Sequence, residues 1–371
     1  MKTQRGFVVL VFGLVTSAFA LAACEGGASG GSTSGGGTAL TTVPAGISDA
    51  QAAGRNTAAS VVAASTTHLD RAIVVYMENQ GFDDVIGHND MNGNPDTPYI
   101  TNIALKYGLA TFYFGVTHPS LPNYLALIGG YTNNISDDNP SCYAVPKQAP
   151  KCHRIDYYNF VDQLESKNLT WAAFEQSMPS AGFLGPQFPA SGDALYAQKH
   201  NPFVYYSDIA TNPARLKKIQ PLDDNASQLK TALSNPATAP NFIFVVPDQC
   251  HDMHGTKTLC NNNDALLREG DNYVKTLVTT IQQSPAFTSN SALFIVWDEN
   301  DYSSNIGCCT AQNVGGGHIA SIVITPRYTT PIRIAQEANH YTLLHTIEST
   351  FGLPPIHEAA KVPAGLLPLL P

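Results

Sequence analysis

Charge and long apolar runs are both scarce in this 371-residue chain. Charged residues make up 13% of the chain, and the formal net charge is −9. An acidic chain without a basic cluster is a poor nucleic-acid binder, because that binding depends on grouped lysine and arginine side chains. The apolar stretch Phe7–Leu14 is too short to span a bilayer as a helix. We therefore expect no nucleic-acid partner and no membrane span at this stretch.

Several catalytic signatures are also missing. The chain has no Gly-Lys dipeptide for a phosphate-binding loop, no His-Glu-x-x-His and no Cys-x-x-Cys. Its one Gly-x-Ser-x-Gly match, residues 27–31, lies in a Gly/Ser-rich stretch with no apolar strand before it. We interpret that match as an accident of composition, so the chemistry must be sought in other residues.

The N-terminal residues are typical of an export signal. Lys2 and Arg5 precede the short apolar stretch, and the residues ending at Cys24 resemble the lipobox of bacterial lipoproteins. That resemblance implies cleavage before Cys24 and acylation of its thiol. The alternative is ordinary secretion, with cleavage after Ala20. We predict a lipoprotein signal peptide over residues 1–23 and a flexible Gly/Ser-rich tether over residues 24–42, with membrane contact only through the anchor at Cys24.

Residues 43–371 are long enough for one large α/β domain. An even number of cysteines in an exported protein predicts disulfides, and six remain after Cys24. Cys142 with Cys152 and Cys250 with Cys260 are plausible pairs because they are close in sequence. The pairing of the adjacent Cys308 and Cys309 stays open, because a bridge between neighbouring residues is strained.

Apolar runs alternate with helical patterns along the domain, which predicts a mostly parallel sheet covered by helices. The predicted buried strands are Arg71–Met77, Ala110–Val116, Leu169–Glu175, Asn241–Pro247, Ser291–Asp298 and His318–Thr325. The predicted helices are Leu121–Gly129, Tyr158–Ser166, Ser227–Ser234, Asn272–Ser284 and Asn339–Phe351. Long loops at residues 137–154 and 179–202 are expected to shape a pocket.

Two predicted strands stop abruptly at acidic or amide side chains. Glu78 and Asn79 follow the first strand, and Asp298 and Glu299 end another. Ligands of open α/β sheets gather at the carboxyl ends of the strands, and hard oxygen donors favour a divalent cation. Such acids often just begin a solvated loop, but their repetition at two strands favours a metal site.

Ser120 lies between a predicted strand and a predicted helix. It could serve only as a helix N-cap, with Pro122 in the first turn. It could also be a nucleophile, because the N–H groups at a helix N-terminus attract an anion such as a phosphoryl group. Asn123 would then hold a phosphoryl oxygen.

Three further groups follow strands or lie in the long loops. Asp248, Asp252 and His254 stand close together after a strand, which favours a metal or phosphate site over a plain polar loop. His318 begins a strand after three glycines that allow close backbone approach, and it could be a ligand, an acid or structural. Lys199 and His200 could bind an anion or form a solvated turn.

These residues resemble, in order, the motifs of the phosphoesterase family within the alkaline phosphatase superfamily. Residues 78–83 read Glu-Asn-Gln-Gly-Phe-Asp and resemble its Glu-Asn-Arg-Ser-Phe-Asp signature. Residues 120–123 resemble its Thr/Ser-x-Pro-Asn nucleophile motif. Further blocks in residues 252–254, 297–299, 317–318 and 339–344 follow, so the resemblance covers roughly residues 70–353.

The resemblance implies a three-layer α/β/α sandwich and metal-assisted phosphoryl transfer through a phosphoserine. A divalent metal ion would be held by Glu78, Asn79, Ser120, Asp298 and Glu299. A second metal, or the phosphate in its place, would be bound by Asp252, His254 and His318. The small phosphorylated substrate would meet Lys199, His200 and Asn123.

Departures from the family pattern favour its acid phosphatase branch over its phospholipase C branch. Gln80 and Gly81 replace Arg and Ser, Tyr124 replaces Arg, and no His matches the phospholipase Asp-His pair after Asp83. We therefore expect an exported, metal-dependent phosphomonoesterase facing the periplasm or the outside. The rivals are a phosphodiesterase or phospholipase C using the same site, and a lipoprotein that binds a phosphorylated ligand without turning it over.

Overall fold

The computed structural model describes residues 68–89, 92–144, 151–302, 306–307, 315–327 and 330–370. The predicted signal peptide, Cys24 and the tether lie outside the described residues, as do Cys308 and Cys309. None of the helices in the described part of the chain combines the length and apolar character needed to cross a bilayer.

The strands of the described residues form one large sheet and a small two-stranded one. Their bounds are β1 Arg71–Met77, β2 Gly108–Phe114, β3 Trp171–Gln176, β4 Gln187–Phe188, β5 Tyr196–Ala197, β6 Ile219–Leu222, β7 Phe242–Val246, β8 Ser291–Trp297, β9 His318–Ile324, β10 Ile332–Ile334 and β11 Ala338–Asn339. The large sheet has the order β10-β2-β9-β8-β1-β7-β3-β6, with β11 also paired to β2.

The sheet is mostly parallel, as predicted. β1 runs parallel to both β7 and β8, and Met77 lies opposite Trp297 at the carboxyl ends of β1 and β8. β9 is the exception, because it pairs antiparallel with both β2 and β8. Its first residue therefore lies at the same edge of the sheet as the last residues of β8.

Helices precede and follow the strands in chain order. Their bounds are α1 Phe82–Val85, α2 Pro98–Lys106, α3 Ser120–Gly129, α4 Phe160–Ser166, α5 Ser207–Ala210, α6 Pro213–Leu216, α7 Ser227–Ala232, α8 Asn263–Gln282 and α9 His340–Thr350. Short 3₁₀ turns span Gln198–His200, Pro202–Tyr205, His357–Lys361 and Leu367–Leu369. The α2 helix packs on α8, and α3 packs on α9, so the predicted α/β/α architecture is confirmed.

Burial explains why the central strands form where the sequence predicts them. Every residue of β1, β7 and β8 is buried, as expected for parallel strands covered on both faces. The largest fully buried side chains include Tyr76 of β1, Trp297 of β8 and Tyr124 of α3. This packing fixes the carboxyl ends of β1, β7 and β8 next to one another.

Two disulfides hold loops at this edge of the molecule. Cys142 is bonded to Cys152, and Cys250 is bonded to Cys260, so both predicted pairs are present. The first closes the long loop after α3, and the second closes the loop after β7.

Candidate active site

The carboxyl ends of β1 and β8 bring their polar residues together. The backbone N–H of Asn79 donates to Asp298 Oδ1 at 2.9 Å, and Asn79 Nδ2 donates to Glu299 Oε1 at 2.9 Å. Asn79 has a φ of 38°, in the left-handed region that asparagine tolerates better than most residues. Three of the four strand-end residues predicted from the sequence are therefore joined directly, and the fourth, Glu78, is the chain neighbour of Asn79.

Ser120 faces this group from the start of α3. Its Oγ donates to Glu78 Oε2 at 3.0 Å and lies 3.3 Å from Glu299 Oε1. The N-cap of α3 is Pro119, so Ser120 is the first helical residue and its side chain does not cap the helix. The prediction of Ser120 as an N-cap is therefore wrong, because its hydroxyl is used by the carboxylates instead.

Asn123 joins the loop before Ser120 to helix α3. Its Oδ1 accepts from the backbone N–H groups of Val116 at 2.8 Å and Thr117 at 3.1 Å. Its Nδ2 donates to Thr117 O at 2.7 Å and lies 3.5 Å from Glu299 Oε2. The side chain is buried and fixes the position of the loop that carries Ser120.

Lys199 and His200 approach the group from the 3₁₀ turn of the second long loop. Lys199 Nζ lies 3.4 Å from Ser120 Oγ. His200 lies between two carboxylates, with Nε2 3.2 Å from Glu78 Oε2 and Nδ1 3.3 Å from Asp252 Oδ2. Burial alone would lower the pKa of His200, but Glu78 and Asp252 together raise it to about 9. His200 is thus a buried imidazolium, and it lowers the pKa of Glu78 to about 2 against the opposing effect of burial.

The loop after β7 adds Asp252 and His254. The Asp252 carbonyl accepts from the Glu78 N–H at 2.8 Å, and its Oδ1 accepts from the His254 N–H at 2.7 Å. His254 Nδ1 bonds to Gly255 O at 2.8 Å, which leaves Nε2 to accept from Lys199 Nζ at 3.1 Å. Burial and the Lys199 charge lower the pKa of His254 to about 4, so its imidazole is neutral.

The three carboxylates of Glu78, Asp298 and Glu299 are buried together. Burial, with the neighbouring carboxylates, raises the pKa of Asp298 well above its usual range, and burial raises that of Glu299. Among the residues that the structure describes, neither Asn79 Oδ1 nor Asp298 Oδ2 has a hydrogen-bond partner, although both atoms are buried. Buried oxygens without partners, within a group of like charges, fit a bound divalent cation.

A second, overlapping group could hold a metal. Glu78, His200 and His254 each offer one ligand atom, and these three atoms lie within 4.8 Å of one another. Each ring nitrogen of His200, however, already contacts a carboxylate, at 3.2 Å from Glu78 Oε2 and 3.3 Å from Asp252 Oδ2. The oxygen-rich group therefore fits a cation better.

His318 begins β9 and packs among aromatic rings. It stacks on Phe82 with ring centroids 4.6 Å apart, contacts Phe114 at 5.4 Å, and its Nε2 bonds to Thr111 O at 3.0 Å. These contacts give the ring a packing role, and its predicted role as a ligand stays a prediction. The glycines before it do allow close approach, because a Cβ on Gly316 would lie 2.6 Å from Thr117 O.

Four residues of the site were not singled out as site residues in the sequence. His118 Nδ1 lies 2.5 Å from Glu299 Oε2, and Tyr124 OH donates to Glu78 Oε1. His340 Nε2 lies 2.7 Å from the Asp298 carbonyl. Asp138 accepts from the Leu121 N–H at 3.0 Å and pairs with Lys199. His118 and Tyr124 flank the nucleophile motif, which was a usable signal, but nothing in the sequence indicates that Asp138 reaches the site.

The chain matches a known family over most of its length. A sequence profile of the Phosphoesterase family matches residues 91–354, and the chain belongs to this family. The predicted family is thus confirmed. The matched range begins after Glu78 and Asn79, so their assignment depends on the geometry described above.

Named relatives are phosphatases. The chain is 24% identical to a phosphate-repressible acid phosphatase of Penicillium chrysogenum over 289 residues, which cover 77% of this chain and 60% of that protein. It is 26% identical to a phosphatidylinositol-3-phosphatase of Mycobacterium tuberculosis over 291 residues, covering 78% of this chain and 80% of that protein. The chain spans only 56–60% of the length of three fungal acid phosphatases. These similarities support a phosphoric ester hydrolase.

The fold has a counterpart among solved structures. A protein in the alkaline phosphatase superfamily from Vibrio parahaemolyticus aligns with 77% of this chain and 69% of its own, with a TM-score of 0.50 and 11% identity. At that identity the likeness concerns the fold alone. It agrees with the predicted alkaline phosphatase-like architecture.

Proposed function

We propose that this protein is an exported, metal-dependent acid phosphatase that hydrolyses phosphate monoesters through a phosphoserine at Ser120. One observation carries the proposal. The Ser120 hydroxyl, at the first residue of a helix, touches Glu78 and Glu299 on one side and lies 3.4 Å from Lys199 Nζ on the other. A nucleophile between an acidic group and a cation suits attack on a phosphoryl group.

Glu78, Asn79, Asp298, Glu299 and the Ser120 hydroxyl would hold the metal ion. A divalent cation bound there would lower the pKa of the hydroxyl and offset the charge of the buried carboxylates. The Asn79 Oδ1 and Asp298 Oδ2 atoms, which have no hydrogen-bond partner among the described residues, support this assignment. Neither the identity of the ion nor the number of ions is part of the proposal.

Lys199 would bind the phosphoryl oxygens opposite the carboxylates. Its ammonium group is within hydrogen-bonding reach of both the nucleophile and the neutral His254 imidazole. His200 would act through Glu78, because its imidazolium lowers the pKa of that carboxylate and keeps it ionised. Asp252, buried against His200, keeps the imidazolium in place.

The reaction then follows from these positions. The Ser120 oxygen forms the new bond to phosphorus while the bond from phosphorus to the ester oxygen breaks, and the hydroxyl proton, which lies on the hydrogen bond to Glu78 Oε2, ends on the departing alcohol. A water oxygen then bonds to phosphorus, the Ser120–phosphate bond breaks, and one water proton returns to the Ser120 oxygen as inorganic phosphate leaves. Lys199 neutralises charge on the phosphoryl oxygens in both steps.

The Mycobacterium tuberculosis relative favours one kind of monoester. That protein is named for a phosphoinositide monoester, and this chain covers 80% of it. A phosphate monoester on an inositol lipid headgroup is therefore a candidate substrate, which comparison with soluble monoesters would test.

The nucleophile can be tested directly. Ser120→Ala should lower kcat on p-nitrophenyl phosphate by several orders of magnitude while the melting temperature stays close to that of the parent. Ser120→Thr keeps a hydroxyl and should retain measurable turnover. Acid quenching during turnover should trap phosphate on the peptide containing Ser120, because phosphoserine survives acid. Phosphate trapped on a histidine, or an Ala variant with near-normal kcat, would refute the mechanism.

A further inference from the structure

We propose that Asp138 is a built-in competitor for the phosphoryl group, and that its charge weakens the binding of dianionic monoesters more than that of singly charged esters. This inference rests on the proposed function. Asp138 lies in the long loop after α3, away from every family motif described above. Its carboxylate nevertheless ends beside the nucleophile.

Asp138 occupies two donors that a bound phosphoryl group would need. Its Oδ1 accepts from the Leu121 N–H at 3.0 Å, an amide in the first turn of α3 directly after Ser120. Its Oδ2 accepts from Lys199 Nζ at 3.2 Å. The first-turn N–H of a helix and a lysine ammonium are typical phosphate donors. The carboxylate therefore lies where substrate oxygens would bind.

The backbone around Asp138 is fixed, so only its side chain is expected to move. Tyr205 OH donates to Asn139 O at 3.2 Å, and Ser141 bonds both to Gln198 Oε1 at 2.9 Å and to Val204 O at 2.7 Å. These bonds tie the loop to the segment that carries Lys199. The Asp138 side chain is 29% exposed, so part of it faces solvent.

Displacement of Asp138 makes the site sensitive to ligand charge. Every ligand must first break the same pair of bonds to Leu121 N and Lys199. A dianionic monoester presents three terminal oxygens and two charges to these donors, whereas a diester presents two oxygens and one charge. That cost is the same for both ligands, but the displaced carboxylate stays nearby and repels the dianion more, because the repulsion grows with charge. Asp138 therefore acts as a specificity-determining residue.

A second role for Asp138 would predict the opposite result. If the carboxylate merely orients Lys199, its removal should leave the ammonium misplaced and weaken phosphate binding. The two roles thus differ in the sign of the effect on affinity, which one isosteric substitution can measure.

The test compares Asp138→Asn with the parent and with Asp137→Asn. Asparagine can still accept from Leu121 N but loses the ion pair with Lys199. Asp137 is the neighbouring carboxylate, and it bonds to His153 rather than to Lys199, so Asp137→Asn is the matched control. Inorganic phosphate is the binding probe, titrated calorimetrically and as a competitive inhibitor, with p-nitrophenyl phosphate and its bis ester as substrates.

We expect Asp138→Asn to tighten phosphate binding and lower KM for the monoester by roughly fivefold, the size of one partly exposed ion pair. Activity on the monoester should rise relative to the bis ester, while Asp137→Asn should match the parent. Weaker or unchanged phosphate binding in Asp138→Asn would overturn the inference. If Asp138→Asn does not fold, phosphate binding is measured in Asp138→Ser instead. A parent that binds phosphate but hydrolyses neither ester would refute the proposed function alone, because the calorimetric comparison of Asp138→Asn would still stand.

Discussion

Asn123 links helix α3 to the loop that carries the nucleophile. Its side chain satisfies the N–H groups of Val116 and Thr117 and donates to Thr117 O. Asn123→Ala would leave these groups unsatisfied, which typically costs ~1–3 kcal/mol each when they are buried. We expect both a lower melting temperature and a kcat reduced by at least tenfold, measured by calorimetry and p-nitrophenyl phosphate turnover.

Asn123→Asp tests the donor end of the Asn123 amide separately from its acceptor end. Asn123→Asp keeps an acceptor for the two amides but places a carboxylate near Thr117 O and Glu299. Its kcat should therefore fall as well, whereas the exposed control Asn225→Ala should behave like the parent. Normal kcat in both Asn123 variants would contradict a positioning role.

At the residue scale, the sequence predicts those site residues that follow strands. Glu78 and Asp298 each come directly after a buried strand, so parallel pairing brings them together whatever the loops do. Asp138 contacts Lys199 only because two long loops bring these residues together. No local sequence pattern predicts this contact, because it depends on hydrogen bonds between segments that are far apart in the chain. The bond between Ser141 and Gln198 is one example.

At the scale of elements, α9 carries a buried acid outside the active site. Glu348 is buried, and its Oε1 accepts from the Ile356 N–H at 3.1 Å. Burial raises the pKa of Glu348 to about 8 from an ordinary 4.5. Between these values the folded state binds more protons than the unfolded state, so this group makes stability fall as pH rises from about 4.5 to about 8.

Glu348→Gln removes that titration while keeping an acceptor for Ile356. We expect the variant to be more stable than the parent at pH 7.5, by an amount of the order of 1–3 kcal/mol. The difference should vanish near pH 4, where both side chains are neutral. Urea unfolding at the two pH values measures it, with Glu337→Gln, at an exposed acid, as the control. An equal difference at both pH values would exclude the titration as its cause.

The long buried strands were predicted for a physical reason, whereas the short strands β4, β5, β6, β10 and β11 were not predicted. The six predicted strands are all present, with ends within two residues of the observed bounds, because burial on both faces imposes a continuous apolar run. The α8 helix begins at Asn263, well before the predicted start at Asn272, since Asn262 caps it through the Ala265 N–H. The α2 helix was missed because only Ile100, Ile103 and Ala104 are buried along it.

At the scale of the whole molecule, the lipid anchor is still a prediction from the sequence. If Cys24 is acylated, Cys24→Ser should release the protein from the membrane fraction into the soluble periplasmic or extracellular fraction. Immunoblotting of fractionated cells, with Ser32→Ala in the tether as the control, measures this. Identical fractionation of the Cys24 variant and the parent would refute the anchor while leaving export open.

Metal binding should stabilise the entire fold, because the oxygen-rich group joins the ends of two central strands. Without a cation, Glu78, Asp298 and Glu299 repel one another in a buried site. A ligand that binds only the folded state at about 100 times its Kd adds ~2.7 kcal/mol, which corresponds to a melting temperature higher by roughly 5 °C or more. Scanning calorimetry in chelator and in a panel of divalent ions measures this rise.

Asp298→Asn tests whether the stabilisation comes from this site. The substitution removes one of the crowded charges and one anionic ligand, so the metal-dependent rise should shrink markedly. The metal-free variant should melt no lower than the metal-free parent, because the buried repulsion is reduced. Glu337→Gln changes an exposed acid and should keep the full rise. If the melting temperature of the parent is the same in chelator and in every ion of the panel, the metal assignment is wrong, and the orphaned oxygens of Asn79 and Asp298 need another partner.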